Sequence, residues 1–242
     1  MPRLLTYNVH RCVGTDRTLS VARIADVIAD EDADIVCLQE LDVGRLRTGS
    51  VDQAAELAQR LNMTSRFHPA MRIEAEQYGD AILSRLPETL VRADSLPSVT
   101  GIRGLEPRGA VWSRIQIGEH WLNIINTHLG LVPREQRKQA AALSSREWVG
   151  ACEGPTILAG DFNATSITRP YGELTRHLKD AQRVLGLKPS IKTFPSAFPA
   201  IRIDHLFISP HIRVTGIRVP TSPLARVASD HLPLVMDFEI AA

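Results

Sequence analysis

Pro155-Thr-Ile-Leu-Ala-Gly-Asp-Phe-Asn-Ala164 is the stretch from which the rest of the chain can be read. Thr156–Ala159 is a short apolar run of the kind that makes a buried strand. Gly160 lets the backbone leave a sheet without a Cβ clash. Asp161 and Asn163 then fall one residue apart, on one side of the chain if strand geometry continues, while Phe162 points into the core. A carboxylate and an amide held together at a strand end are either an Asx-type turn or part of a site. Other stretches bear on that choice.

The 242 residues suffice for one large domain or two small ones. No linker divides them, so a single domain over residues 1–242 is expected. Apolar content of 44% and charged content of 23% are those of an ordinary globular protein. The net charge of +1 excludes the global basic field of a generic nucleic-acid binder and leaves room for a local basic groove. Cys12, Cys37 and Cys152 are odd in number and irregularly spaced, which favours a reducing compartment over a disulfide framework. The first apolar run is too short for a signal sequence, and no run approaches the roughly 18 residues of a spanning helix. A cytoplasmic location is the simplest expectation.

Leu4–Val9 reads as a first strand, and Ser20 as the cap of a helix running to about Asp30. Ala33–Glu40 is a second strand and Val51–Leu61 an amphipathic helix. Asp80–Ser84 and a segment near Leu90 read as strands joined by a turn at Pro87. Gly109–Ile117 and His120–Asn126 form a hairpin. A helix from Pro133 to about Val149 leads into the central strand, and Tyr171–Leu178 is a further helix. Ile201–Ser209, Arg213–Val219 and Leu232–Ile240 complete the strands. Helices interleaved with hairpin-like strands predict an α/β (α+β) chain with mixed or antiparallel sheets, not a strict βαβ alternation.

Polar residues recur where apolar strands end: Asn8, Glu40, Asn126-Thr-His128, Asp161 with Asn163, Asp204-His205 and Ser229-Asp-His231. Each has an ordinary alternative: a turn residue, a solvated neighbour, a satisfied core histidine, or a buried ion-pair partner. Polar groups gathered from many separate strand ends are also what an open-sheet active site is made of. If Glu40, Asp161, Asp204 and Asp230 converge, their repulsion calls for a cation. Oxygen ligands fit Mg²⁺ or Mn²⁺ better than Zn²⁺.

The set resembles the endonuclease/exonuclease/phosphatase superfamily with its DNase I-like fold. The matching stretches, in the family's order, are Thr6-Tyr-Asn-Val-His10, Leu38-Gln-Glu40, Ala81-Ile-Leu-Ser-Arg85, Pro107-Arg-Gly-Ala110, Asn126-Thr-His-Leu129, Gly160-Asp-Phe-Asn163, Arg202-Ile-Asp204 and Ser229-Asp-His231. The resemblance implies a four-layer α/β/β/α sandwich of two mixed sheets. It implies Glu40 as principal metal ligand with Asn8 and Asp230 close by, and His128, Asn163 and His231 against the scissile phosphate. Asp204 would orient His231, and Asp161 would position the attacking water, with the base left open between Asp161 and the His231–Asp204 pair. Arg108 and Arg47 are candidate substrate contacts. The stretch Asn8-Val-His-Arg departs from the pattern of abasic-site endonucleases, and Asp80 stands where the family often has Asn. Thr193-Phe-Pro195 matches small bacterial members with uncharacterised or lipid-related roles.

The expected function is therefore a Mg²⁺- or Mn²⁺-dependent phosphodiesterase acting on a phospholipid or small-molecule phosphodiester. The alternatives are a metal-dependent nuclease or a silent binding module on the same fold. No GxSxG elbow supports a serine hydrolase.

Overall fold

The computed structural model describes residues 1–241. The strands are β1 (Arg3–Asn8), β2 (Ile35–Val43), β3 (Thr64–Ile73), β4 (Glu76–Ser84), β5 (Glu88–Ser95), β6 (Gly109–Ile117), β7 (His120–His128), β8 (Thr156–Asp161), β9 (Lys179–Asp180), β10 (Asp204–Ile208), β11 (Ile212–Arg218) and β12 (Leu234–Ile240). The helices are α1 (Val21–Ala29), α2 (Gln53–Leu61), α3 (Pro133–Ser144), α4 (Arg169–Leu174), α5 (Ala181–Val184) and α6 (Pro223–Ala228).

Two six-stranded sheets form, in the orders β11-β12-β1-β2-β4-β3 and β5-β6-β7-β8-β10-β9. Each is antiparallel except for one central parallel pair, β1 with β2 and β7 with β8. A helix makes each parallel crossover, α1 in the first sheet and α3 in the second, as a parallel connection requires. Three apolar clusters define four layers. Leu4, Ile35, Ile124, Ile157, Leu206 and Met236 pack between the sheets. Ile24, Val27 and Leu57 of α1 and α2 pack on the outer face of the first sheet. Leu143, Tyr171 and Leu174 of α3 and α4 cover the second. Cutting a fully buried residue such as Ile124 to Ala would cost about 2–5 kcal/mol.

The capping chemistry sets several boundaries. Ser20 accepts from the Arg23 amide at 3.2 Å, and Asp52 from the Ala55 amide at 2.9 Å, each satisfying a free donor at a helix start.

The structure differs from the sequence reading at several places: α5, α6 and the two-residue β9 are absent from that reading, and the helix read as Tyr171–Leu178 is Arg169–Leu174. β3 is a ten-residue strand that the sequence reading leaves out. It carries Pro69 and no run of buried residues because it is a sheet edge, where a missing N–H is tolerated. The turn at Pro87 does not close a hairpin: β4 belongs to the first sheet and β5 to the second. α3 stops at Ser144, and only a single 3₁₀ turn covers Val149–Ala151.

Candidate active site

The two central parallel pairs point their C-terminal ends at one cleft of about 440 Å³. Asn8 ends β1, Glu40 lies in β2, His128 ends β7 and Asp161 ends β8. The carboxyl ends of parallel strands are where open α/β sheets bind ligands. A buried amide bridge joins the sheets just behind them. Gln39 Nε2 donates to Asn126 Oδ1 at 2.7 Å, and Asn126 Nδ2 donates to the carbonyls of Leu38 and Ala81 at 2.8 and 2.9 Å. Asn126 thus ties the two sheets together.

Register does much of the positioning. In the second sheet His128 lies opposite Asp161, and Asp161 opposite Asp204, so three chemistry-bearing residues stand in one row. Gly160, with φ +146°, approaches the neighbouring strand so closely that a Cβ would lie 1.9 Å from the Thr127 carbonyl oxygen. Only glycine lets β7 and β8 pair this tightly beside the site. Glu40 sits where the β2–β4 register slips between Leu38 and Leu41, with φ 61°. A bulge of this kind re-aims a side chain, here into the cleft. His10, Arg11, Cys12 and Asn163 also hold positive φ, which costs roughly 1 kcal/mol or more each and concentrates strain around the cleft.

Asp161 is the hub. Its Oδ1 accepts from the Asn163 amide at 2.9 Å, so the Asx turn anticipated at this strand end exists and is itself part of the cleft. Its Oδ2 accepts from Asn8 Nδ2 at 3.0 Å, with His128 Nε2 at 3.4 Å and His231 Nε2 at 3.6 Å. Burial, with Asp204 nearby, pushes the Asp161 carboxyl above its usual range.

His231 Nδ1 lies 2.9 Å from Asp204 Oδ2. The same oxygen accepts from the Thr193 hydroxyl. The Phe194 ring packs on the imidazole at 4.8 Å between centroids. Burial works against a charge on His231, but Asp204 and Asp161 outweigh it and push its pKa up to about 10. Arg202 does not pair with Asp204; it bonds Asp180 at 2.6 Å. The sequence motif gives no sign of the roles of Thr193 and Phe194. Their only signal is the Thr-Phe-Pro stretch, which carries no chemistry by itself. His205 is a core histidine, bonded to the Ala164 carbonyl at 2.8 Å and packed among Phe162, Tyr171 and Phe207.

His128 behaves oppositely to His231. Burial and the adjacent Arg108 cation hold its pKa well below the ordinary value, so it is neutral. Arg108 Nη1 lies 2.8 Å from His128 Nδ1. A guanidinium only donates, so Nδ1 accepts and the proton sits on Nε2, facing Asp161. Asn163 Nδ2 donates to the Leu129 carbonyl at 3.0 Å and lies 3.0 Å from the same Nε2, so two N–H donors are turned on one point, where an acceptor oxygen would satisfy both. Arg108 also pairs with Glu106 at 2.7 Å.

Asn8 donates from Nδ2 to both Glu40 Oε1, at 2.9 Å, and Asp161 Oδ2, while its Oδ1 accepts from the His10 amide at 3.0 Å. Asp230 lines the same cleft, its Oδ1 3.9 Å from His10 Nδ1. Arg47 lines it too, but its fork is clamped on buried Asp42 by two 2.7 Å bonds, leaving Nη1 free of that pair. Of the residues singled out at the strand ends, Glu40, His128, Asp161, Asn163, Asp230 and His231 line the cleft. Asn8 sits behind Glu40 and Asp161, and Asp204 behind His231, while Asn126, Thr127, His205 and Ser229 are buried away from it.

The donor set suits a hard divalent cation, because carboxylate oxygens of Glu40 and Asp161 converge on one neutral amide, with Asp230 in the same cleft. Asp161, Asp204 and His231 also come within 4.8 Å of one another. That trio is already committed internally: Asp204 Oδ2 holds two donors and His231 Nδ1 is one of them. Glu40, facing the open cleft, is the better anchor for a metal.

A sequence model of the Endonuclease/Exonuclease/phosphatase family matches residues 5–231. The uncharacterised protein YbhP of Escherichia coli K12 is 27% identical over 98% of this chain and 96% of its own. Among solved structures, the mannosyl-6-phosphatase Bt3783 of Bacteroides thetaiotaomicron superposes with TM-score 0.78 at 20% identity, covering 99% of this chain and 100% of that one. The catalytic domain of human Nocturnin, with a bound sulfate anion, does so with TM-score 0.72 at 21% identity, covering 99% and 94%. Two mixed sheets flanked by helices are common ground with solved members of the family, and with the match across nearly the whole length, the chain belongs to the endonuclease/exonuclease/phosphatase family.

Proposed function

We propose that the chain is a divalent-metal-dependent phosphodiesterase that hydrolyses a phospholipid or small-molecule phosphodiester by in-line attack of water. The observation that carries this reading is Asp161, a buried carboxylate of raised pKa flanked by two imidazole Nε2 atoms within 3.6 Å. Such a group takes a proton from water more readily than an ordinary aspartate. Glu40 and Asp230 would hold Mg²⁺ or Mn²⁺, with Asn8 close by positioning Glu40 through its Nδ2. When bound, the cation supplies positive charge to the phosphate and the leaving oxygen.

The chain's own residues do the rest. His231, held cationic by Asp204, offers Nε2–H to a non-bridging oxygen. Neutral His128, fixed in one tautomer by Arg108, and the Asn163 amide offer further donors. Asp161 Oδ2 accepts the proton of the attacking water. Arg47 Nη1 and Arg108 are the substrate cations on the wall. A net charge of +1 and aromatic content of 5% favour a small or lipid diester over a nucleic acid.

The test is a panel of a soluble aryl phosphodiester, an aryl phosphomonoester, dispersed phospholipid and an abasic duplex, each with Mg²⁺ and Mn²⁺. Diester or phospholipid turnover should lead by at least about tenfold. Turnover confined to the monoester or to DNA would overturn the reading.

A further inference from the structure

The loops around the cleft expose apolar side chains that the fold leaves uncovered. Apart from Met1, the four most exposed large apolar residues are Ile167 at 94%, Phe198 at 85%, Leu46 at 82% and Leu131 at 73%. They lie on four different loops. Leu131 lines the cleft, and the others stand within four residues of Asn163, Phe194 and Arg47, which line it too. Exposed apolar residues normally scatter singly; here these four sit on chain segments that each also supply a residue to the cleft, which marks its surroundings as a candidate interaction surface.

A basic face adjoins this mouth. Buried Gln136 of α3 donates to the carbonyls of Gly130 and Asn163, both at 2.8 Å, which fastens the helix to the site loop. On their outer side α3, α4 and the turn after α4 expose Arg134, Arg137, Lys138, Arg169 and Arg176. Glu173 is the one carboxylate on this outward face, paired with Arg176 at 2.6 Å, while Glu135 of α3 is turned inward and buried. Arg137, Arg169 and Arg176 line one shallow groove, and Arg137 and Arg169 continue into a second beside Pro133 and Thr168. Five cations against one acid form a concentrated patch in a chain of net charge +1.

We propose that this face docks on an anionic phospholipid bilayer, with the α3–α4 cations against headgroup phosphates and the four apolar tips inserted beneath them. The cleft mouth then opens onto the membrane. The proposal rests on the phosphodiesterase reading and selects phospholipid as its substrate. Aliphatic tips with flanking arginines are the combination that interfacial binding uses. A nucleic-acid strand would draw on aromatic faces for stacking, and three of the four tips have none.

The experiment is vesicle co-sedimentation at two salt concentrations, with phosphatidylcholine alone and with phosphatidylcholine plus phosphatidylglycerol. Wild type should bind the anionic vesicles, more weakly at high salt, and leave pure phosphatidylcholine unbound. Arg137→Glu/Arg169→Glu should weaken binding roughly tenfold or more, and Ile167→Ser/Phe198→Ser should weaken it with little change in salt dependence. These residues lie outside the cleft, so both variants should keep wild-type melting temperature and turnover of a soluble diester. Equal sedimentation of all three proteins, no vesicle binding by wild type, or salt-dependent binding to single-stranded DNA in place of vesicles would overturn the proposal. Anionic-vesicle binding without any diester turnover would instead sink the phosphodiesterase reading and leave the docking surface standing.

Discussion

His231 Nδ1 sits 2.9 Å from Asp204 Oδ2, and that carboxylate is buried with no arginine on it. The pair therefore depends on one imidazolium to offset one carboxylate. The raised His231 pKa fixes the sign of its pH dependence. Its stabilising charge is fully present below about 6.5, the unfolded value, and is lost as pH rises through about 10. Asp204→Asn should lower kcat by about 10²–10⁴-fold. It should also bring the alkaline limb of the pH–rate profile down from near 10 toward the ordinary histidine range. Metal affinity should hardly move, because Asp204 lies behind His231. A near-wild-type kcat with a lower melting temperature would make the pair structural only.

Much of the fold and the site is legible in the chain because strand-end polar residues follow apolar runs that folding must bury. Glu40, His128, Asp161 and Asp230 are found this way. What escapes the sequence is register and the partner each side chain meets. Nothing in Leu38-Gln-Glu-Leu41 announces the bulge that aims Glu40, and β3 hides because an edge strand needs no apolar alternation. Asn126 and Asn163 look alike as strand-end amides, yet one ties two sheets together and the other faces the cleft. The clamp of Arg47 by Asp42, five residues apart across a turn, likewise depends on the path of that turn, which the sequence does not announce.

Glu40 offers its carboxylate to the open cleft and to one amide. Glu40→Gln should lower activity sharply and raise the metal concentration for half-maximal rate, while wild type loses activity in excess chelator. Calorimetric titration with Mn²⁺ reads affinity apart from turnover. Full turnover in chelator, or an unchanged titration for the variant, would remove Glu40 from the metal site.

Asp80 is buried in β4, and burial pushes its carboxyl up to about 8 despite the nearby Arg108. At neutral pH it is therefore the protonated counterpart of an asparagine. A raised folded pKa means its contribution is full below about 3.8 and is lost as pH rises through about 8. Asp80→Asn should leave the melting temperature nearly unchanged at pH 4 and raise it at pH 9, measured in chelator. An equal change at both pH values would show that Asp80 ionises normally.

Thr193 is fully buried, and its hydroxyl donates to the same Asp204 oxygen that meets His231. Its carbonyl accepts from the Leu232 amide at 2.9 Å, one residue past the histidine, so the segment grips the dyad from two sides. Thr193→Val keeps the shape and removes the donor. Losing a hydrogen bond to a charged group costs about 1.5–3 kcal/mol. If that bond orients Asp204, the loss falls on kcat, by about tenfold or more, and spares KM. The alkaline limb should stay near its wild-type position, since the carboxylate that sustains His231 remains, whereas Asp204→Asn moves it. Thr193→Ser restores a hydroxyl and should restore kcat. A purely structural Thr193 predicts a different pattern: both variants lower the melting temperature, and neither changes kcat at a temperature where the protein is folded. Measuring kcat, KM, the pH profile and the melting temperature on the Val and Ser variants decides between them.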